Sequence, residues 1–551
     1  MTRRLPLFFV ALFLGASAVT VPAHGAEQRP NLLVIVADDL GYSDIGAFGG
    51  EIRTPNLDRL ALDGIRLAGL HTAPTCSPTR AMLLSGTDNH LAGLGTMAEL
   101  IRPNQKGKPG YEGYLRRDVA TLAERLAAGG YRTLFSGKWH LGLTDAQDPH
   151  ARGFDRSFSL AQGGHNHFGT DADPADPDAS TYRLNGKRVS KLPTDFYSSD
   201  YFAARLIEFL GEETGRESLD KPFFAYLAFT APHWPLQAPA EDIARYRGRY
   251  DEGFDVLRAR RLERQRERGI LAPDVAAHIP RNRDGSWDSL TAEQQRLAAR
   301  NMEIYAAMVD RLDQNVGRVI EALRASGKLD NTVIVFLADN GAEALDIDTT
   351  GKQMLAKPLE RADNGFANRG AATSYLTYGA GWAQAATAPS WLTKGYHSEG
   401  GTRAVAFISG AGIPRRAGAE TQFLSVADIA PTLLDLAGVD RSLLRVGGRR
   451  VSAITGRSWA AWLDDRAVRV YGADDGIGAE LFGTRAYRQG DWKITDIGDG
   501  VWRLFDIARD PGETRDLSLV DPDRKADLAA AWERYAERVG VVMPDAIPYR
   551  P

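Results

Sequence analysis

The run Asn31-Leu-Leu-Val-Ile-Val-Ala37, followed at once by Asp38-Asp39, is the most informative stretch for the architecture of this chain. Its apolar residues follow one another without polar alternation, a pattern typical of a strand buried on both faces. Strands of that kind occur in parallel sheets that helices cover on either side. The run therefore predicts an α/β protein.

The segments around this run alternate between strand and helix patterns. Further strands are predicted over residues 131–136, 223–229, 333–338 and 404–409. Helices are predicted after Asp118 as an N-cap, from a Thr291–Gln294 capping box to a stop near Gly327, and over Asp428 to Ala437. This rhythm predicts a mostly parallel central sheet with helices on both faces, in a large domain over residues 26–464.

The pattern changes after about residue 465. Short segments at 481–487, 492–496 and 501–506 are separated by Gly and Asp, and a helical pattern follows near 523–539. These features predict a small C-terminal α+β subdomain with an antiparallel sheet over residues 465–551.

The N-terminus carries a targeting pattern. Arg3 and Arg4 precede an apolar run from Leu5 to Val21, and small residues follow at Ala23 and Gly25. The run is short for a membrane anchor and does not recur, so we expect a cleaved signal peptide over residues 1–25 and no stable membrane insertion. A signal of this kind predicts a periplasmic or secreted protein, with the choice between the general and the twin-arginine export route left open.

The composition excludes several classes of function. The chain has 551 residues, 43% hydrophobic and 25% charged, which is ordinary for a globular protein. The formal net charge of -4 argues against a nucleic-acid binder. Residues 257–268 are rich in arginine with acidic residues interleaved, which predicts a solvated helix face rather than a binding patch.

Polar side chains gather where the predicted strands end. Asp38 and Asp39 follow the first strand, Asp339 and Asn340 follow a later one, and His233 lies just beyond a third. Ligands of open α/β sheets bind beyond the carboxyl ends of the strands, so these residues are expected to meet in one site. Carboxylate and amide oxygens suit Ca²⁺ or Mg²⁺, and Ca²⁺ is favoured outside the cytosol.

Three cationic side chains complete the expected site: Arg80, Lys138 and Lys394. Together with a divalent cation, their positive charge exceeds the negative charge of three carboxylates. Such a pocket should bind a compact oxyanion and stabilise charge that develops on its oxygens.

The single cysteine lies in the segment Pro74-Thr-Cys-Ser-Pro-Thr-Arg-Ala-Met-Leu-Leu-Ser-Gly86. Its Cys-x-Pro-x-Arg pattern resembles the signature of the type I sulfatases, and Gly130-Tyr-Arg-Thr-Leu-Phe-Ser-Gly-Lys-Trp-His140 resembles a second signature of that family. The resemblance continues in family order over roughly residues 30–520, through Asp38-Asp39, Asp339-Asn340-Gly341, Lys394 with Glu399-Gly400-Gly401, Leu504-Phe505-Asp506 and Asp510-Pro511-Gly512-Glu513. A mild departure is Ser85, where the family more often has Thr, Ala or Arg.

The resemblance implies an alkaline-phosphatase-like α/β/α sandwich and a site of known type. A formylglycine-generating maturation enzyme would oxidise Cys76 to formylglycine, whose hydrate is the nucleophile. Asp38, Asp39, Asp339 and Asn340, with residue 76, would hold Ca²⁺. The other implied roles are that Arg80 orients the hydrate, Lys138 and Lys394 grip the sulfate, His140 helps to remove the second hydroxyl proton, and His233 protonates the leaving oxygen. For His165 and His167, substrate contact and a place on a loop surface both stay open.

The substrate class is predicted from one further stretch of the sequence. The stretch Tyr378-Gly-Ala-Gly-Trp-Ala-Gln-Ala-Ala-Thr-Ala-Pro-Ser390 resembles bacterial arylsulfatases, which predicts hydrolysis of small aryl sulfate monoesters. Alkyl or carbohydrate sulfates remain alternatives, as does a formylglycine-dependent phosphonate monoester or phosphodiester hydrolase. A secreted binder that lost the chemistry is disfavoured by the full set of catalytic residue types.

Overall fold

The computed structural model describes Thr2 and residues 29–172, 179–212, 221–280, 285–347 and 356–549. The predicted signal peptide, residues 1–25, lies outside the described residues apart from Thr2. Among the described residues, no helix combines the length and apolar character needed to cross a membrane.

Strands and helices alternate along the first part of the chain. The strands are β1 Asn31–Ala37, β2 Ile65–Leu67, β3 Leu70–His71, β4 Arg132–Lys138, β5 Arg156–Leu160, β6 Tyr182–Leu184, β7 Lys187–Arg188, β8 Phe223–Ala228, β9 Thr332–Ala338, β10 Ala406–Gly410, β11 Ala419–Glu420, β12 Leu424–Ser425, β13 Arg445–Val446, β14 Arg449–Arg450, β15 Gly476–Leu481, β16 Thr484–Gln489, β17 Trp492–Asp496 and β18 Arg503–Asp506. The α-helices are α1 Pro55–Leu62, α2 Cys76–Ser85, α3 Asn89–Ala92, α4 Leu122–Ala128, α5 Ser198–Gly211, α6 Ala240–Ala244, α7 Gly253–Glu267, α8 Ala292–Ala325, α9 Ala356–Glu360, α10 Gly379–Ala386, α11 Glu399–Thr402, α12 Ile429–Leu436, α13 Ala460–Leu463 and α14 Pro522–Val539.

A ten-stranded sheet forms the centre of the molecule, in the order β11-β2-β10-β9-β1-β8-β4-β5-β6-β7. The five strands from β9 to β5 are mutually parallel. The strand β10 runs antiparallel to β9, and β6 and β7 form an antiparallel edge. The mostly parallel sheet predicted from the sequence is confirmed.

Helices cover both faces of this sheet, and β1 shows how. Leu33 and Ile35 point into one core, which α1, α5 and α8 complete. Leu32 and Val34 point into the opposite core, which is built with α2, α4 and α12. Each β1 residue is buried, as expected for a central strand whose alternate side chains enter two cores. The α/β/α sandwich is therefore confirmed.

The chain ends in a second sheet of four antiparallel strands, in the order β15-β16-β17-β18, against which α14 packs. Trp532 of α14 donates its indole N–H to the carbonyl of Ala479 in β15 at 3.0 Å. The small α+β lobe is thus confirmed as a fold, and its boundary near residue 465 stays a prediction.

Two local predictions were wrong, and a third was only partly right. Helix α4 is capped by Thr121, whose hydroxyl and Glu124 form a capping box, and not by Asp118. The predicted strand over 481–487 is two strands joined by a turn at Phe482 and Gly483, both with positive φ. The arginine-rich helix α7 is not simply solvated, because the guanidinium of Arg261 is buried against Asp44 and Glu51.

Candidate active site

The carboxyl ends of four neighbouring strands, β9, β1, β8 and β4, form the floor of one site. Asp38 and Asp39 follow β1, Asp339 follows β9, and Lys138 is the last residue of β4. Asp39 has φ 66°, a left-handed conformation that Asp tolerates better than most residues. Its backbone N–H donates to Asp339 Oδ1 at 3.2 Å, which joins the two strand ends.

Cys76 is the first residue of α2 and lies over this floor. Its thiol is 3.3 Å from Asp38 Oδ1 and 3.8 Å from Asp39 Oδ1. One ligand atom from each of Cys76, Asp38, Asp39 and Asp339 lies within 4.8 Å of the other three. Residues separated by more than 250 positions along the chain thus meet around the sulfur.

Arg80, one helical turn after Cys76, enters the site from the same helix face. Its Nε donates to Asp339 Oδ2 at 2.9 Å, and its Nη1 donates to the carbonyl of Lys138 at 2.9 Å. Lys138 in turn donates from Nζ to Asp38 Oδ2 at 2.6 Å. Arg80 Nη2 also lies 2.8 Å from Asp339 Oδ2 and 3.7 Å from Asp38 Oδ1. The Cys-x-Pro-x-Arg spacing therefore places Arg80 against two of the clustered carboxylates.

Lys394 brings the third cation, from the loop before α11. Its Nζ lies 2.8 Å from Asp39 Oδ1 and 3.3 Å from Glu343 Oε2. Glu343 also accepts hydrogen bonds from the Tyr549 hydroxyl at 2.6 and 2.7 Å. Glu343 and Tyr549 were missed by the sequence reasoning, because neither lies in a recognisable motif.

His233 approaches from the loop after β8. Its Nε2 lies 3.7 Å from Asp39 Oδ2, and a ligand atom of the ring lies within 4.8 Å of Cys76 and Asp38. Nδ1 donates to the carbonyl of Trp234, so Nε2 is the nitrogen that faces the site. The Trp234 ring lies against the His233 ring, with centroids 4.5 Å apart.

His140 follows β4 but is held by a different partner. Its Nε2 lies 2.8 Å from Glu99 Oε1. His140 lies two residues after Lys138, so the Glu99–His140 pair lies beside the site. Burial opposes ionisation of Glu99, but His140 lowers its pKa to about 2. Glu99 is a further residue that no sequence signal indicated.

His165 and His167 support the site from behind. His167 contacts the carbonyl of His233 through Nε2 and the Ser198 hydroxyl through Nδ1, and His165 contacts the Thr230 hydroxyl. Both rings are buried, which argues against the loop-surface alternative. Burial lowers the pKa of His167 to about 4, which keeps its ring neutral.

The buried charges set the protonation states of the site. Burial and the charge of Asp38 raise the pKa of Asp339 to about 6, although Arg80 opposes this. Burial also acts to raise the pKa of Asp39. The charges of Lys394, His233 and Lys138 more than offset this effect, so the pKa of Asp39 is lowered. Burial raises the pKa of the Cys76 thiol well above its ordinary value despite the nearby lysines.

The donor set fits a hard divalent cation. Three carboxylates converge within contact distance of one another, and carboxylate and amide oxygens are the ligands that Ca²⁺ and Mg²⁺ prefer. Among the described residues, the buried Oδ1 of Asn340 has no hydrogen-bond partner, while its Nδ2 donates to Asp39 Oδ1 at 2.6 Å. An orphaned buried acceptor beside clustered carboxylates needs a partner, and a cation would supply it.

Comparison with known proteins identifies the family. The family described as Sulfatase matches residues 30–439 of this chain. The chain belongs to the sulfatase family. It is 47% identical to an uncharacterised sulfatase of Schizosaccharomyces pombe, over 94% of this chain and 95% of that one. It is 41% identical to an arylsulfatase of Klebsiella aerogenes, over 76% and 89% of the two chains.

Solved structures agree on the fold of this sulfatase. The crystal structure of Ps i-CgsB in complex with k-i-k-neocarrahexaose superposes with a TM-score of 0.66, at 24% identity over 95% of each chain. The resemblance to the sulfatases inferred from the motifs is confirmed, and with it the hydrolysis of sulfate esters as the activity of the family.

Two motifs of the sulfatase that lie away from Cys76, Glu399-Gly400-Gly401 and Asp510-Pro511-Gly512-Glu513, meet in one buried network. Lys493 of β17 is 2.9 Å from Glu399 of α11 and 2.9 Å from Glu513. Glu513 accepts from the backbone N–H of Glu399 at 2.7 Å, and His71 lies 2.9 Å from the Glu399 carboxylate. This buried network joins the terminal lobe to the helix that follows Lys394.

Proposed function

We propose that this sulfatase hydrolyses aryl sulfate monoesters with a formylglycine hydrate at residue 76 and a bound Ca²⁺. The observation that carries the proposal is the position of Cys76, which lies among Asp38, Asp39 and Asp339 with cationic groups on either side. A pocket with this charge pattern suits a sulfate ester, whose oxygens gain charge as the ester bond breaks.

The unmodified thiol is a poor nucleophile in these surroundings. Its raised pKa keeps it protonated, whereas the thiolate is the reactive form of cysteine. A thiolate that did attack sulfur would also leave an S-sulfonate that water must then cleave. An aldehyde hydrate avoids both problems, which supports oxidation of Cys76 by a separate maturation enzyme.

The proposed reaction has two covalent steps. One hydroxyl of the hydrate attacks sulfur, the bond from sulfur to the ester oxygen breaks, and a sulfate ester remains on residue 76. The second hydroxyl then loses its proton, its oxygen forms the carbonyl, and the C–O bond to sulfate breaks. Sulfate leaves and the aldehyde is restored.

The neighbouring residues take roles that their positions allow. The amino groups of Lys138 and Lys394 would hold the sulfate oxygens, and Arg80 would orient the hydrate. Asp339, whose pKa is raised to about 6, is suited to accept the proton of the attacking hydroxyl. His233 would pass a proton to the leaving oxygen through Nε2, and His140 would assist loss of the second hydroxyl proton.

Asp38, Asp39, Asp339 and Asn340 would hold the cation, with residue 76 as a further ligand. A bound Ca²⁺ would polarise the sulfate group and lower the pKa of the attacking hydroxyl. Ca²⁺ is favoured over zinc because the clustered donors are mostly oxygens. Within the described part of the chain, no second imidazole or thiolate ligand lies beside His233 and Cys76.

Two observations support an aryl leaving group. The Trp234 ring lies beside His233, where an aromatic alcohol could stack as it departs, and the buried Trp234 Nε1 is without a hydrogen-bond partner among the described residues. The Klebsiella relative also carries the name arylsulfatase. We further propose export to the periplasm or the medium, on the basis of the signal pattern at residues 1–25.

A substrate panel on purified protein tests the substrate class. Aryl sulfate, alkyl sulfate, a sulfated sugar and an aryl phosphonate monoester should be compared by kcat/KM. The proposal predicts the highest value for the aryl sulfate. A higher value for the phosphonate would assign the chain to the alternative hydrolase, and a higher value for the sugar would replace the aryl assignment.

A further inference from the structure

The segment formed by residues 541–549, after α14, runs back across the large domain. The N–H of Val542 donates to the Tyr111 hydroxyl at 2.8 Å, and its carbonyl accepts from Gln105 Nε2 at 2.8 Å. The carbonyl of Met543 accepts from Asn104 Nδ2 at 2.8 Å. These bonds attach the segment to the loop that contains residues 102–111.

The segment brings Tyr549 to the edge of the active site. The phenol ring packs on Phe482, with ring centroids 5.8 Å apart, and the hydroxyl donates to the carboxylate of Glu343. The two residues are 206 positions apart in sequence, so only the path of the segment brings them together. The same carboxylate lies 3.3 Å from Lys394 Nζ, so the phenol is one side chain away from the charged cluster.

Glu343 connects this phenol to the sulfate-binding group. The carboxylate is buried and accepts from the backbone N–H of Leu345 at 2.8 Å, which fixes one oxygen. The other oxygen, Oε2, lies 2.7 Å from the Tyr549 hydroxyl and 3.3 Å from Lys394 Nζ. Lys394 is therefore shared between Glu343 and Asp39, and the hydroxyl of Tyr549 influences how strongly Glu343 attracts it.

We propose that Tyr549 is a positioning residue for Lys394, acting through Glu343. The hydrogen bond from the phenol takes up part of the charge of Glu343 and fixes its rotamer, which leaves the ammonium of Lys394 directed to Asp39 and the bound sulfate. Without the hydroxyl, Glu343 is free to draw the ammonium away. The inference rests on the sulfate-binding role proposed above for Lys394.

A double-mutant cycle tests this chain of contacts. Tyr549→Phe, Glu343→Gln and the double variant should be compared with the wild type by affinity for inorganic sulfate, measured calorimetrically, and by kcat/KM for an aryl sulfate. Tyr549→Phe should weaken sulfate binding by about three- to tenfold, the range expected for one hydrogen bond. In the Glu343→Gln background the same change should have less than about a twofold effect, because the connecting carboxylate is neutral.

Tyr535→Phe is the matched control. It removes a buried phenol hydroxyl of the same terminal lobe that bonds a carboxylate at 2.7 Å, but this carboxylate is Asp88 and not Glu343. It should lower the thermal midpoint without changing sulfate affinity. The proposal is contradicted if Tyr549→Phe binds sulfate like the wild type, or if its effect is equally large with Glu343→Gln.

The sulfate measurement separates this inference from the proposed function. All variants are compared at the same state of residue 76, and inorganic sulfate carries no leaving group, so the comparison does not rest on the formylglycine or aryl proposals. A failure of the aryl or formylglycine proposals would appear as lost turnover in the wild type, with the dependence of sulfate affinity on Tyr549 intact.

Discussion

Lys394 is the active-site cation whose removal best separates a role in substrate binding from a role in structural support. It is held by Asp39 and Glu343 but lies in a loop, so its removal should leave the sheet intact. We expect Lys394→Ala to reduce kcat/KM by about 10²- to 10³-fold, the usual cost of removing one donor to a developing oxyanion. Steady-state kinetics with a thermal melt checks this. Lys187→Ala, at an exposed lysine of β7, serves as the control, and near wild-type kinetics for Lys394→Ala would refute the role.

Glu99 should matter through the histidine that it holds. Glu99→Gln keeps an acceptor near His140 but removes the negative charge that lies 2.8 Å from its Nε2. We expect kcat to fall by about two- to tenfold, the effect of weakening one charged hydrogen bond. The measurement is kcat as a function of pH, with the exposed pair member Glu208→Gln as control. An unchanged pH profile would show that Glu99 has no part in proton transfer.

Among single residues, those at the centre of the site were predicted from the sequence better than those around it. Asp38, Asp39 and Asp339 directly follow strands, so topology was sufficient to place them. Cys76 was assigned through the resemblance of its segment to the sulfatase signature, in which Arg80 follows one helical turn later. Glu99, Glu343 and Tyr549 carry no local signal. Their positions depend on loop paths and on the segment after α14, which spacing in sequence cannot reveal.

His90 is the clearest pH-sensitive element of the fold. Its ring lies between Asp88 at 3.2 Å and Glu480 at 3.0 Å, and it links the region after α2 to β15. Burial alone would lower the pKa of His90, but the two carboxylates raise it from 6.5 to about 9. The folded state therefore binds this proton more tightly than the unfolded state does.

This raised pKa predicts a loss of stability on the alkaline side. The contribution is complete below pH 6.5 and is lost as the pH rises towards 9, by at most about 3 kcal/mol in the free energy of unfolding. Denaturant unfolding across that range should show the slope in the wild type and in His150→Gln, at an exposed histidine. His90→Gln should flatten it, and an equal slope in that variant would contradict the assignment.

The elements themselves followed from the sequence where caps and apolar runs coincide. The Thr291–Gln294 capping box begins α8 as predicted, and β1 has the predicted limits. The direction of β10 could not be predicted, because strand polarity depends on the connection and not on composition. The turn at Phe482 was missed because a phenylalanine with φ 60° is not a usual turn signal.

The four-stranded C-terminal sheet is joined to the large domain by the buried network around Lys493. Lys493→Met would leave Glu399 and Glu513 buried without their shared cation, which should lower the free energy of unfolding by about 3–5 kcal/mol. Adding Glu513→Gln should restore part of the loss. Equilibrium unfolding measures both effects, and a change below about 1 kcal/mol for Lys493→Met would mean that the network contributes little to stability.

The central claim concerns the whole site: distant residues meet around an oxidised side chain at position 76. The most direct measurement is mass spectrometry of the peptide that contains residue 76, on preparations made with and without a formylglycine-generating enzyme, together with their specific activity towards an aryl sulfate. We predict that activity rises in proportion to the fraction of aldehyde and that Cys76→Ala is inactive. Full activity in protein whose Cys76 is an unmodified thiol would contradict the account.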